Sequence, residues 1–264
     1  MTAVWGRCVF GAATLLAWGA ATARLHELRL SGRAAAAAAA TGLLMVLNWV
    51  LFFGAIERTS IGVATVVFHV QPLWVIAFGI GWLREPVSRA QAGGALVALA
   101  GLALATGLLE HGRRAVLEAP YAAGLLMCLG GSLSYAGVTL VAKGARSVTS
   151  YALATWQCLI GAMALAWWPW LHGMRPDAAS WAWLAGMGVL HTGVAYVVLY
   201  AGVARLPAGR IALLQFVYPA AAVLVDRVVY GRSLSVLQAA GVALMGAALW
   251  AMRRGGQRPA SNHG

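Results

Sequence analysis

Long apolar runs dominate the chain, and charged residues fall mainly between them. A helix needs about twenty apolar residues to cross the hydrocarbon of a bilayer. Reading for such runs bounded by charge, Gly or Pro predicts nine segments: Val4–Ala23, Ala34–Ile56, Ser60–Trp82, Ala90–Leu109, Tyr121–Ala142, Thr149–Leu171, Trp181–Val203, Ala208–Tyr230 and Leu234–Met252. Most connections are short, as expected for helices that turn straight back. No stretch reads as a soluble domain or long linker. The tail 253–264 is polar and expected to be disordered, on the cytoplasmic side. The predicted fold class is an all-α polytopic membrane protein with nine transmembrane helices.

Composition supports this reading. Of 264 residues, 61% are hydrophobic and 10% charged, with a mean hydropathy of +0.78. A soluble domain carries far more charge than this, and a disordered chain far less apolar content. The three cysteines, Cys8, Cys128 and Cys158, lie in apolar runs and read as small buried hydrophobes rather than a disulfide framework.

Net charge is +12. The arginines are scattered at the ends of apolar runs, with no basic stripe interleaved with aromatics, so nucleic acid is not an expected partner. Counting Lys and Arg by side puts 12 of the 19 with the C-terminus, including Arg29, Arg89, Lys143 and Arg205, and seven with the N-terminus, including Arg7 and Arg58. The bias predicts a cytoplasmic C-terminus and, with nine spans, an external N-terminus. The first segment ends in Ala20, Ala21, Thr22 and Ala23, which suits a signal-peptide cleavage site; Arg7 inside its apolar run argues against one.

The chain matches itself at an offset of 147. Arg58, Gly62, Val70, Pro72, Gln91, Ala92 and Gly94 fall on Arg205, Gly209, Val217, Pro219, Gln238, Ala239 and Gly241. This divides the chain into residues 1–115 with four spans and residues 116–252 with five. An odd-numbered unit repeats with opposite orientation in the membrane, the inverted architecture of many secondary transporters. The helix that would open the first unit falls before Met1.

Pro72 and Pro219 lie mid-span, and each deprives the carbonyl four residues back of its hydrogen bond. Such a carbonyl must face protein, water or ligand, so the pair reads either as a substrate site or as packed kinks. Polar residues gather on the same spans. Thr65, His69 and Pro72 share a face, with Gln71 beside them, and Gln215 and Tyr218 share another. Thr192, Tyr196 and Tyr200 form a stripe with His191 adjacent; Ser132, Tyr135 and Thr139 form a further one; Asn48 and Gln157 each add an amide. Such side chains serve as interhelix hydrogen bonds or line a cavity. The clustered set makes Asn48, His69, Gln71, Pro72, Tyr135, Gln157, His191, Tyr196, Gln215, Tyr218 and Pro219 candidates for binding substrate. His69 and His191 are also candidates for coupling transport to protons, against the alternative of neutral interhelix packing. The glycines Gly93, Gly94, Gly101, Gly241 and Gly246 read as close helix approaches. The Trp167–Trp170 cluster reads as an interfacial belt. Metal, nucleophile-elbow, phosphate-loop and Cys-x-x-Cys motifs are absent from the sequence. Accordingly no enzyme activity, cofactor or metal is expected.

The run Glu57-Arg58-Thr59-Ser60-Ile61-Gly62, with His69-Val70-Gln71-Pro72 and Trp82-Leu83-Arg84-Glu85-Pro86, resembles the first EamA repeat of the drug/metabolite transporter superfamily. Gly188 to Gly193, Tyr196 to Tyr200, Phe216-Val217-Tyr218-Pro219 and Tyr230-Gly231-Arg232 resemble the second. The resemblance implies ten helices in two inverted repeats and a cavity between the repeats. That cavity would draw Asn48, His69, Gln71, His191, Tyr196, Gln215 and Tyr218 from the second, third, seventh and eighth segments. It implies export or exchange of amino acids or other small metabolites across the inner membrane. The family's first helix has no counterpart in the sequence: either the chain starts upstream, or the protein works with nine spans. A non-transporting subunit and a membrane-embedded enzyme are the rival readings. Substrate, direction, coupling ion and oligomeric state are not legible in the residues.

Overall fold

In the computed structural model, residues 1–105, 119–173, 177–219, 221 and 235–255 are described, and they are almost entirely helical. The elements are α1 (Thr2–Ala21), a 3-10 turn (Leu25–Leu28), α2 (Gly32–Arg58), α3 (Ile61–Phe68), α4 (Gln71–Gly81), α5 (Arg89–Ala105), α6 (Ala119–Gly144), α7 (Ser150–Ala164), α8 (Trp167–His172), α9 (Ala178–Gly186), a π-helical segment (Met187–Val194), α10 (Ala195–Arg205), α11 (Ala208–Gln215) and α12 (Val236–Gly255). The ends of the segments expected at Ala90–Leu109 and Ala208–Tyr230, the motif at Tyr230, and the tail from residue 256 lie outside the described residues.

Among the described residues, four expected spans are not single regular helices; the eighth is interrupted at Phe216, where α11 has ended at Gln215. The third divides into α3 and α4 at His69 and Val70. The sixth divides into α7 and α8, just before the Trp-rich stretch. The seventh runs from Ala178 to Arg205 with a π segment at its centre. Among the described residues, the spans Thr2–Ala21, Gly32–Arg58, Ile61–Gly81, Ala119–Gly144 and Ala178–Arg205 are long and apolar enough to cross a membrane, with α5 and α12 shorter and apolar. Large apolar side chains such as Leu47, Ile80, Leu126, Leu133 and Val198 are exposed. Water would penalise so much exposed apolar surface; a lipid environment does not.

Contacts sort the chain into two compact units, each drawn from two separate stretches of the sequence. One holds Met1–Phe53 and Gly137–Arg205. In it α1 packs on α7 and on the π segment. Small residues allow the approach: a Cβ at Gly11 would lie 3.1 Å from Cys158 Sγ and 3.2 Å from the Gly188 carbonyl. Tyr151 is fully buried, and its hydroxyl donates to the Leu15 carbonyl at 3.1 Å.

The other unit holds Gly54–Ala136 and Leu206–Gly264. Here α5 packs along α12, with Ala95, Ala98, Leu102, Met245 and Ala248 in the core. A Cβ at Gly241 would lie 2.4 Å from the Ala105 nitrogen, and one at Gly101 would lie 2.8 Å from the Gly241 carbonyl. These two glycines are therefore close-approach positions. Gly93 and Gly246 are not, because added Cβ atoms there would meet nothing within 4 Å.

Two local features recur at the offset of 147. Ser88 and Gln91 form a reciprocal capping box at the start of α5: the Ser88 amide donates to Gln91 Oε1 at 3.0 Å and the Gln91 amide donates to Ser88 Oγ at 3.2 Å. Ser235 and Gln238 repeat it at the start of α12 with the same two distances. Such boxes satisfy orphan amides of a helix's first turn. The helix break at His69 also has a counterpart, at Phe216.

Candidate functional site

In the unit containing α3, α4 and α11, chemistry gathers at the helix breaks. Ser60 caps α3 by accepting from the Val63 amide at 3.2 Å. The helix stops at Phe68, and α4 restarts with Gln71 and Pro72 in its first turn. A proline is tolerated there because a first-turn amide has no intrahelical partner to lose. His69 sits in the break. Its Nδ1 lies 2.6 Å from the Thr65 carbonyl, which only accepts, so Nδ1 carries a proton and the neutral ring keeps Nε2 as an acceptor. The ring packs edge-on against Phe68, with centroids 5.9 Å apart, and tilted against Phe216 at 6.4 Å.

Gln71 is buried, and its Nε2 has no hydrogen-bond partner; Gln215, the last residue of α11, has an unpartnered buried Oε1. Tyr135 packs against Phe68 at 6.0 Å. Trp74 Nε1 donates to Ser132 Oγ at 3.1 Å, and that hydroxyl donates on to the Leu129 carbonyl at 2.8 Å. Pro219 is buried, whereas Tyr218 is 75% exposed. Glu85 reaches α11 from its own unit: its Oε2 accepts from the Ala208 amide at 2.7 Å. A carboxylate at a helix N-terminus is favoured by the orphan amides and the helix dipole.

The second cluster lies in the unit containing α1, α7 and α10. Gln157 is completely buried on α7, and its Oε1 accepts from the Tyr200 hydroxyl. Its Nε2 has no partner. Tyr196 packs against Tyr200 at 6.0 Å and against Trp49 at 6.4 Å, and its hydroxyl lies 3.7 Å from Met45 Sδ. Asn48 is buried and hydrogen-bonded or otherwise engaged. His191 is exposed, on the π segment. The π spacing is visible in its neighbour, since the Thr192 hydroxyl donates to the Met187 carbonyl five residues back at 3.1 Å. Single-turn π segments occur often at functional positions.

Two residues of this cluster were not anticipated as site residues. Arg7 lies within α1, and its guanidinium carbon stands 4.2 Å from the centre of the Trp49 ring. Its Nε is buried and unpartnered. By sequence alone Arg7 is counted with the flanking arginines; its place inside an apolar run was the available signal. Trp49 carried none, because a tryptophan in a span reads equally as packing.

Among the described residues, no three His, Cys, Asp or Glu side chains gather in a way that would hold a metal ion. Among the described residues, the two clusters bring together amides, hydroxyls, aromatic faces, the His69 imidazole and the Arg7 guanidinium. The long apolar helices and exposed apolar side chains define a multi-pass helical membrane protein.

The EamA-like transporter family matches this chain over residues 1–107 and 122–254, and the chain belongs to that family. It is similar to the "Uncharacterized transporter YxxF" of Bacillus subtilis, 28% identical over 223 residues that span 83% of this chain and 70% of that protein. It is also similar to an "Uncharacterized transporter" of Archaeoglobus fulgidus, 27% identical over 198 residues, 74% of this chain and 67% of that one. A solved structure described only as "Crystal structure of protein" shares the fold with a TM-score of 0.84 at 19% identity, covering 96% of this chain and 88% of that one. The protein is thus a multi-pass membrane transporter.

Proposed function

We propose that the protein is a secondary transporter of the inner membrane that exports or exchanges a small organic metabolite by alternating access between two inverted repeats. The observation that carries this reading is the pair of helix breaks at His69 and Phe216, at the same offset in the two halves, each next to a mid-span proline and a glutamine with an unpartnered buried atom. A buried polar atom without a partner costs about 1–3 kcal/mol. A solute that supplied the missing partner would recover that cost on binding. The recurrent capping boxes at Ser88–Gln91 and Ser235–Gln238 support the repeat. His69 Nε2 and His191 are the groups through which protons would couple to transport. The cytoplasmic C-terminus belongs to this same reading.

Reconstitution tests it. Purified protein in sealed vesicles, without ATP, is expected to move members of a panel of labelled amino acids and other small metabolites down an imposed solute or pH gradient. Verified folding with no flux across the panel overturns the proposal.

A further inference from the structure

We infer that Arg7 is the carboxylate-binding group of the solute site, and that the transported solute is a small organic acid or amino acid whose carboxylate docks on it; this rests on the transporter reading above. The argument begins with position. Arg7 lies against Trp49, which stands nine residues inside the end of α2, about 13 Å at 1.5 Å per residue. α2 has 27 residues, about 40 Å at the same rise, so with its overhang shared between the two ends Trp49 lies about 8 Å inside a hydrocarbon core about 30 Å thick, where an ionised side chain is costly.

Charge balance gives the second step. In the unit that holds Arg7, the described carboxylates are Glu27 and Asp177. Glu27 is paired with Arg24 and accepts from Thr149, and Asp177 caps Ser180 at the start of α9. Among the described residues Arg7 makes no salt bridge. Arg7 is half-buried, and its buried Nε lacks a partner, so an anionic ligand group docking there would supply both a counter-charge and an acceptor.

Geometry gives the third. Trp49 covers one face of the guanidinium, which leaves its edges for hydrogen bonding. The edge containing Nε–H and a terminal N–H is the one that engages a carboxylate through two parallel bonds. Nε is buried and unpartnered. The aromatic series from Trp49 to Tyr196 and Tyr200 ends at Gln157, whose amide turns one terminus to Tyr200 and has no partner for the other, whichever way round it is placed. An apolar or aromatic solute body suits those ring faces.

Binding, measured apart from transport, tests the inference. Full-length protein in phosphatidylcholine nanodiscs is titrated with acetate, 4-methylpentanoate and phenylacetate, each against its neutral amide, and with leucine and phenylalanine; the readout is the rise in unfolding midpoint. At least one carboxylate is expected to bind about tenfold or more tightly than its amide, or an amino acid to bind at comparable strength. The discrimination should vanish in Arg7→Gln and survive in part in Arg7→Lys. Whether simple acids or amino acids bind separates the two sources of carboxylate. Equal binding of acids and amides to the unaltered protein, binding of no probe, or discrimination that persists in Arg7→Gln overturns the inference. If Arg7→Gln does not fold, the acid–amide comparison on the unaltered protein decides alone. Flux of neutral or cationic solutes without carboxylate binding would leave the transporter reading standing and this one refuted. Carboxylate binding that depends on Arg7, without flux, would refute the transporter reading and leave Arg7 as a carboxylate-binding group only.

Discussion

Gln157 and Tyr200 show what a buried pair contributes when only one side of it is satisfied. The Tyr200 hydroxyl donates to Gln157 Oε1, and both side chains are fully buried. Gln157→Leu removes the acceptor and leaves a buried phenol facing an apolar group, a loss of about 1–3 kcal/mol. Adding Tyr200→Phe removes the donor as well, so the double variant is expected to lose less than the two single losses summed, in thermal unfolding of the purified protein. An additive pair would mean that the two residues act independently. Glu27 makes a pH-dependent contribution outside the spans. Its carboxyl is held below the usual range chiefly by the hydrogen bond from Arg24, which outweighs the opposing effect of desolvation, with a further lowering from the Thr149 hydrogen bond. A lowered folded-state pKa stabilises the fold above the ordinary carboxylate range, and that contribution is lost as pH falls through the lowered value. Glu27→Gln is therefore expected to unfold at a lower temperature than the unaltered protein near pH 7, with the two converging in acid. A gap that widens in acid would refute the assignment.

At the scale of elements, apolar run length was enough to announce an all-helical protein with several long apolar helices, because hydrocarbon thickness fixes the length of a crossing helix. The interruptions were less legible. The prolines announced a break near residue 72, yet the break falls at His69 and Val70, upstream of the ring, because a proline in the first turn of α4 costs no hydrogen bond. The π segment at Met187–Val194 left no mark, since one extra residue per turn does not alter an apolar pattern. Glycine roles could not be separated by sequence either: four of the same residue type on α5 and α12 differ only in what faces them. Gly241→Ala drives a Cβ to within 2.4 Å of the Ala105 backbone nitrogen, which cannot swing aside. Overpacking of this kind costs about 1–3 kcal/mol. Gly246→Ala, open to its surroundings on the same helix, is expected to be neutral or slightly stabilising through helix propensity. Unfolding midpoints of the two variants in one detergent check the contrast. Equal effects would mean that α5 and α12 do not approach as closely as the structure places them.

Over the whole molecule, the candidate site was legible as a list of polar residues in apolar surroundings and illegible as an arrangement. Three of those residues, Gln71, Gln157 and Gln215, prove to have buried atoms without partners. That requires coordinates, because an amide in a sequence carries no record of what faces it. The cysteines carry a whole-molecule consequence of the same kind. Cys8, Cys128 and Cys158 are each 0% exposed, although only their apolar neighbours were visible beforehand. The native protein is thus expected to resist a membrane-impermeant maleimide until denatured, which makes it a ready background for mapping topology. Arg146 and Ala178 are exposed residues that bracket the α7–α8 region. If that region crosses the bilayer once, as the Lys and Arg distribution implies, Arg146→Cys will be labelled from the cytoplasmic side and Ala178→Cys from the other. Labelling of both from one side would mean that α7 and α8 enter and return, and the orientation read from the positive charges would fall with it.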